Sequence, residues 1–123
     1  MSKASKISDA EWQVMQVIWH RSPISASEIV QELEPHTGWN HRTIRTMLNR
    51  LVQKEVLDYD VEGNRYLYRP NVTRARCVRK ESESFLNKVF SGDANSLLVH
   101  FVRSGKISAD DLQELQRILE DGK

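Results

Sequence analysis

The chain has a single cysteine among its 123 residues, so it closes no internal disulfide and offers no Cys-x-x-Cys pair to a metal. No His-x-x-x-His pair replaces it, and His20, His36, His41 and His100 are scattered along the chain. The five glycines never gather into a phosphate-cradling loop, and there is no low-complexity tract, internal repeat or flexible linker. No apolar run approaches the roughly 18 to 20 residues of a membrane-spanning helix, and the polar start Met1-Ser-Lys-Ala-Ser-Lys6 leads into no secretion signal. These absences point to a cytoplasmic protein without membrane insertion, with no catalytic residues, no metal site and no cofactor. Net charge is only +1, so the whole-chain balance by itself identifies no polyanionic partner.

What is present is organised. Length and a 39% hydrophobic content suit one domain with an appendage rather than two large domains. Ser8-Asp-Ala-Glu11 is a capping box, followed by an apolar stripe of Trp12, Met15, Ile18 and Trp19. Ser25-Ala-Ser-Glu28 repeats the box ahead of Ile29, Val30 and Leu33, which predicts a short second helix ending near Glu34-Pro35. Asn40 caps a third helix in which Ile44, Met47, Leu48, Leu51 and Val52 share one face. From Val56 the residues become β-prone, and Glu62-Gly63-Asn64 turns the chain into Arg65-Tyr-Leu-Tyr-Arg69. Three helices followed by a hairpin predict a winged helix-turn-helix, mainly α with a small β-hairpin.

Charge is unevenly placed. Between His36 and Lys54 there are four basic residues and no acid, whereas from Ile107 to Lys123 five acids face two bases. The polar face of the third helix holds Arg42, Thr43, Arg45, Thr46, Asn49, Arg50 and Gln53. An Arg can bond guanine bidentately and a Thr methyl can pack on thymine, so Arg42, Thr43, Arg45 and Thr46 are the expected base readers. Arg50 and Lys54, further along, are expected on phosphates. Arg65 in the wing, with Arg69 behind it, is expected at the backbone or minor groove, and Ser25 and Ser27 at a phosphate beside the second helix. An isolated basic face is ordinarily just solvated, but its place before a hairpin favours double-stranded DNA. Trp12 and Trp19 read as core, Trp39 as a cover for the third helix, and Tyr59, Tyr66 and Tyr68 as packing between wing and helices.

Beyond Pro70, a helix from Arg74 to Phe90 carries Cys77, Val78, Phe85, Leu86 and Val89. Leu97-Leu-Val-His-Phe-Val102 is a short apolar segment, and Ser108 caps a last helix striped by Leu112, Leu115, Ile118 and Leu119. Short helices cannot hide this much apolar surface among themselves, so a homodimer is expected, using Phe85, Leu97, Leu98, Phe101, Leu112, Leu115, Ile118 and Leu119. A dimer of this kind reads a palindromic operator. Two rival readings stay open: a winged helix used for protein contacts, and a metal- or redox-responsive regulator built on Cys77.

Several runs are also familiar: Ala10-Glu-Trp-Gln-Val-Met15 with Ile18-Trp19, Thr43-Ile-Arg-Thr46 with Asn49-Arg-Leu51, Phe85-Leu-Asn-Lys88, and Ser96-Leu-Leu-Val-His-Phe101. Over nearly its whole length the chain resembles the penicillinase and methicillin-resistance repressors, the BlaI/MecI family. The resemblance implies a winged-helix DNA-binding domain over residues 1–71, a helical dimerisation region over 72–123, and repression of β-lactam resistance genes. It also implies induction by a membrane sensor protease that cuts the dimerisation region at an Asn-Phe bond. The matching bond here is His100-Phe101, a departure at the first residue. Copper-responsive relatives end in cysteine pairs, which this chain lacks.

Overall fold

A computed structural model describes residues 6–122, so most of the polar start, and Lys123, lie outside the described residues. The chain divides into two compact units, Met1–Lys80 and Glu81–Lys123.

The first unit begins with α1 (Asp9–His20), whose Ser8 cap and Glu11 form the expected capping box. A two-residue strand β1 (Ile24–Ser25) leads into α2 (Ala26–Thr37), capped by Ser25 and Glu28. α2 runs past the expected stop at Glu34-Pro35. Pro35 lacks the N–H that would reach Gln31 and its ring crowds that carbonyl, but both residues are exposed, so the carbonyl can tilt outward to water. The Thr37 hydroxyl donates to the Leu33 carbonyl at 2.9 Å, and the true stop is Gly38, left-handed at φ +73°. A turn over residues 38–40 then delivers α3 (His41–Gln53), with the Asn40 side chain accepting from the Thr43 amide at 2.9 Å.

Strands β2 (Leu57–Glu62) and β3 (Arg65–Pro70) form the antiparallel wing, closed by Gly63-Asn64, where Gly63 takes φ +64°. β1 pairs with the far edge of β3, Ile24 opposite Tyr68, which makes a three-stranded sheet ordered β1-β3-β2 in place of a bare hairpin. The core gathers Val14, Met15 and Ile18 of α1, Ile29 and Leu33 of α2, Ile44, Met47, Leu48 and Leu51 of α3, and Leu57 and Tyr68 of the wing. Trp12, Trp19 and Trp39 are half-buried against it, and the Trp19 indole donates to the Val72 carbonyl at 2.9 Å. Val72 and Cys77 are buried in the same core, which is why this unit reaches Lys80 and not only residue 71.

The helix α4 (Arg74–Phe90) enters the second unit, which continues with α5 (Ala94–Arg103) and α6 (Ala109–Asp121). Asp93 caps α5, and Ser108 with Asp111 forms a capping box on α6. No residue of α5 or α6 is buried. Phe85, Val89, Leu98, Phe101, Leu112, Leu115, Ile118 and Leu119 are exposed, and Leu97 is half-buried. Phe85, Phe90, His100 and Phe101 form a chain of ring contacts with centroids 5.6 to 6.1 Å apart. Among the described residues no helix is long and apolar enough to cross a membrane, and no cluster of three His, Cys, Asp or Glu residues is placed to hold a metal ion.

Candidate nucleic-acid interface

The amphipathic pattern of α3 decides what it presents. Ile44, Met47, Leu48 and Leu51 are buried, which turns Arg42, Thr43, Arg45, Thr46, Asn49, Arg50 and Gln53 to solvent. Arg42, Thr46, Arg50 and Lys54 recur every four residues and form one ridge along that face. The Thr46 hydroxyl donates to the Arg42 carbonyl at 3.0 Å, so its proton is already used within the helix.

Beside α3 lies an open groove of about 520 Å³, lined by Ser25, Ala26, Ser27, Arg45, Asn64, Arg65, Tyr66 and Tyr68. It joins the N-terminus of α2, the exposed face of α3 and the tip of the wing. Two guanidiniums, the amide end of a helix and several hydroxyls make its chemistry that of an anion seat. Burial pushes the Tyr68 phenol above its ordinary range, with the Arg45 charge opposing. The Ser25 amide, followed by the Ser25 hydroxyl, holds the Glu28 carboxyl below the usual carboxylate range; Arg21 and Arg65 add smaller contributions in the same direction.

Four residues stand differently from the reading of the sequence. Ser25 is only 3% exposed, and its hydroxyl donates to Glu28 Oε1 at 3.0 Å while accepting from the Glu28 amide. The capping box consumes that side chain; Ser27 next to it is exposed. The Lys54 ammonium turns inward, donating to Glu11 Oε1 at 2.6 Å and to the Lys6 carbonyl at 2.8 Å. Arg69 is held by Asp60 at 3.2 Å and Asp58 at 3.6 Å on the neighbouring strand. Tyr66 is 46% exposed and stacks on Tyr59 at 4.3 Å, so unlike Tyr68 it does not pack the wing onto the helices.

Asn64 and Tyr66 are groove residues that the sequence pattern did not single out. The signal was available in the alternation of β3: Tyr66 and Tyr68 share a face, but Tyr66 lies nearer the tip, beyond the reach of the core.

A family described as Penicillinase repressor matches residues 7–121. The chain belongs to the penicillinase repressor family. It is 39% identical to the Penicillinase repressor of Bacillus licheniformis over 123 residues, all of this chain and 96% of that protein. It is 36% identical to the Methicillin resistance regulatory protein MecI of Staphylococcus aureus over 118 residues, 96% of each chain. The solution structure of the DNA-binding domain of the repressor BlaI is similar with a TM-score of 0.56 and 43% identity, covering 61% of this chain and 92% of that one. The monomeric form of B. licheniformis BlaI in complex with the blaP half-operator is similar with a TM-score of 0.54 at the same identity and coverage. For this member of the penicillinase repressor family, the winged-helix reading of the first unit is thereby established.

Proposed function

We propose that the chain is a cytoplasmic, non-enzymatic transcriptional repressor that binds double-stranded DNA as a homodimer, each α3 reading one half of a palindromic operator. The observation that carries this is the acid-free exposed face of α3, with a groove at its side where Arg45 and Arg65 converge on the N-terminus of α2. Arg42, Thr43, Arg45 and Thr46 face the base edges, and Arg50 takes a phosphate. Arg65, Ser27 and the α2 amides hold the backbone that the wing approaches. Half-sites lie about one helical turn apart, roughly 10 to 10.5 bp, or a multiple of it.

The dimer reading is supported by the second unit, where α5 and α6 are capped by Asp93 and Ser108 yet bury no residue fully. Likeness to a penicillinase repressor and to a methicillin resistance regulatory protein favours β-lactam resistance genes as targets. Induction by a membrane sensor protease at His100-Phe101 is part of the same proposal. That bond lies inside α5, so cutting it requires α5 to unwind first. A cut there would separate α6 and dissolve the avidity of two linked half-site contacts.

The test is a titration of the full-length protein against a random pool of DNA duplexes at two salt concentrations, with the bound fraction sequenced. Recovery of a two-fold symmetric site with a steep salt dependence is expected. Binding without sequence enrichment would remove the operator reading, and no binding would leave the winged helix as a protein-contact module.

A further inference from the structure

Glu11 is a carboxylate with no exposed side-chain surface, and it belongs to α1, not to the DNA-facing helix. Its Oε1 accepts from Lys54 at 2.6 Å and from the Ser8 amide at 2.9 Å. Its Oε2 makes no hydrogen bond, and an Arg50 guanidinium nitrogen lies 3.9 Å from it. Lys54 and Arg50 are neighbours on the ridge that also carries Arg42 and Thr46. A single buried charge on α1 therefore holds one cation of the recognition ridge and draws on a second. The Lys54 ammonium also donates to the Lys6 carbonyl, which fixes it at the inner end of that ridge.

We propose that Glu11 determines how many cations α3 presents to DNA: it withholds Lys54 from phosphate and competes with DNA for Arg50, which limits sequence-independent affinity. This rests on the DNA-binding reading above. Affinity from phosphate contacts is blind to sequence and grows with each cation engaged, whereas base readout by Arg42 and Arg45 does not depend on Lys54. Removing the ridge's last cation from the interface lowers binding to all DNA alike and leaves the preference for the right site intact. Glu11 acts through Lys54 and Arg50 and is a positioning residue.

Glu11→Gln tests this in the full-length protein, because Gln preserves the capping box with Ser8 and removes only the charge. Binding to operator and to unrelated duplex is measured between 50 and 200 mM salt. With Lys54 released onto a phosphate, the slope of log affinity against log salt should steepen by about 0.9, a roughly threefold greater loss of affinity across that range. Affinity for operator and for unrelated DNA at low salt should rise together, leaving their ratio unchanged. The double variant Glu11→Gln/Lys54→Gln should return the slope to that of the parent. An unchanged slope in folded Glu11→Gln, or a slope that stays steep in the double variant, overturns the proposal. Failure of the parent protein to bind any DNA overturns the underlying reading instead. Should Glu11→Gln not fold, the lysine ammonium resonances of the parent protein decide. The Lys54 signal should be unaffected by operator DNA, and a DNA-induced shift with loss of its coupling to Glu11 would refute the withholding.

Discussion

The helices α3 and α6 are built alike: each has 13 residues, an oxygen-bearing N-cap side chain, Asn40 or Ser108, and an apolar stripe at helical spacing. In α3 the stripe is buried, with Ile44, Leu48 and Leu51 fully enclosed by α1, α2 and the wing. In α6 every described residue is exposed, Leu119 to 70%. Local signals thus make a helix whether or not a core awaits it. Burial depends on which surfaces the rest of the chain supplies, and for α6 they cover Leu112 and Leu115 only in part and leave Ile118 and Leu119 mostly open. A stripe left open on a well-capped helix is a demand for a partner.

The sharpest way to break this comparison is to charge the open stripe. Leu112→Asp with Leu115→Asp should weaken dimerisation by at least about 100-fold, because association would bury unpaired carboxylates. Light scattering after size exclusion should show a monomer, while the unfolding midpoint of the first unit stays where it was. A stable dimer would place the interface elsewhere.

Next in size are core truncations. Leu48→Ala should lower the unfolding free energy by about 2 to 5 kcal/mol in urea denaturation, since the side chain is wholly enclosed. In the monomeric Asp background, Leu119→Ala should change it by less than about 0.5 kcal/mol. A similar loss at both sites would mean that α6 is packed within its own chain after all.

On the opposite face of α3 the effects are smaller and appear in binding. Arg45→Ala should cost about 1 to 3 kcal/mol at particular base positions, whereas Arg50→Ala should weaken all sequences alike and reduce the salt slope by about 0.9. Uniform losses from Arg45→Ala would take it off the base edges.

The smallest effects are in acid. The carboxyls of Glu28 in α2 and Asp111 in α6 are held below their ordinary ranges, first by the amide and then by the hydroxyl of their capping serines. In the window between folded and unfolded pKa values the unfolded chain binds more protons. Each cap's contribution is therefore complete above the ordinary value, 4.5 for Glu28 and 3.8 for Asp111, and is lost as pH falls through the lowered one. Glu28→Gln should flatten part of the acid dependence of first-unit stability, followed by circular dichroism at pH 6 and pH 3.5. Asp111→Asn should flatten only that of the helical signal from the second unit.

Much of this was legible in the chain itself. Ser8-Glu11, Ser25-Glu28, Asn40 and Ser108 announce helix starts because a cap is satisfied within three residues, and the i, i+3, i+4 spacing of Ile44 to Leu51 fixes which face of α3 turns outward. The wing was readable as well, with its turn expected at Glu62-Gly63-Asn64 and formed by Gly63-Asn64 alone, since Glu62 pairs with Arg65. Ser25 was only half readable: a capping box uses its hydroxyl oxygen as an acceptor, and the donation to Glu28 Oε1 that takes the proton is visible only in the structure.

Other features had no local signal. β1 exists only because β3 passes alongside it, and two residues carry no pattern of their own. Pro35 looks like a stop until Leu33 is seen anchored in the core and Thr37 closing the turn. Lys54 looks like a phosphate contact until Glu11, 43 residues earlier, is found beneath it. By itself the sequence determined the helices other than α5, which read only as a short apolar segment, together with the wing and the basic, acid-free face, because each depends on neighbours within a few residues. Tertiary structure alone decided which of those charges remain available, because a side chain's partner across the fold is chosen by packing and not by its place in the chain.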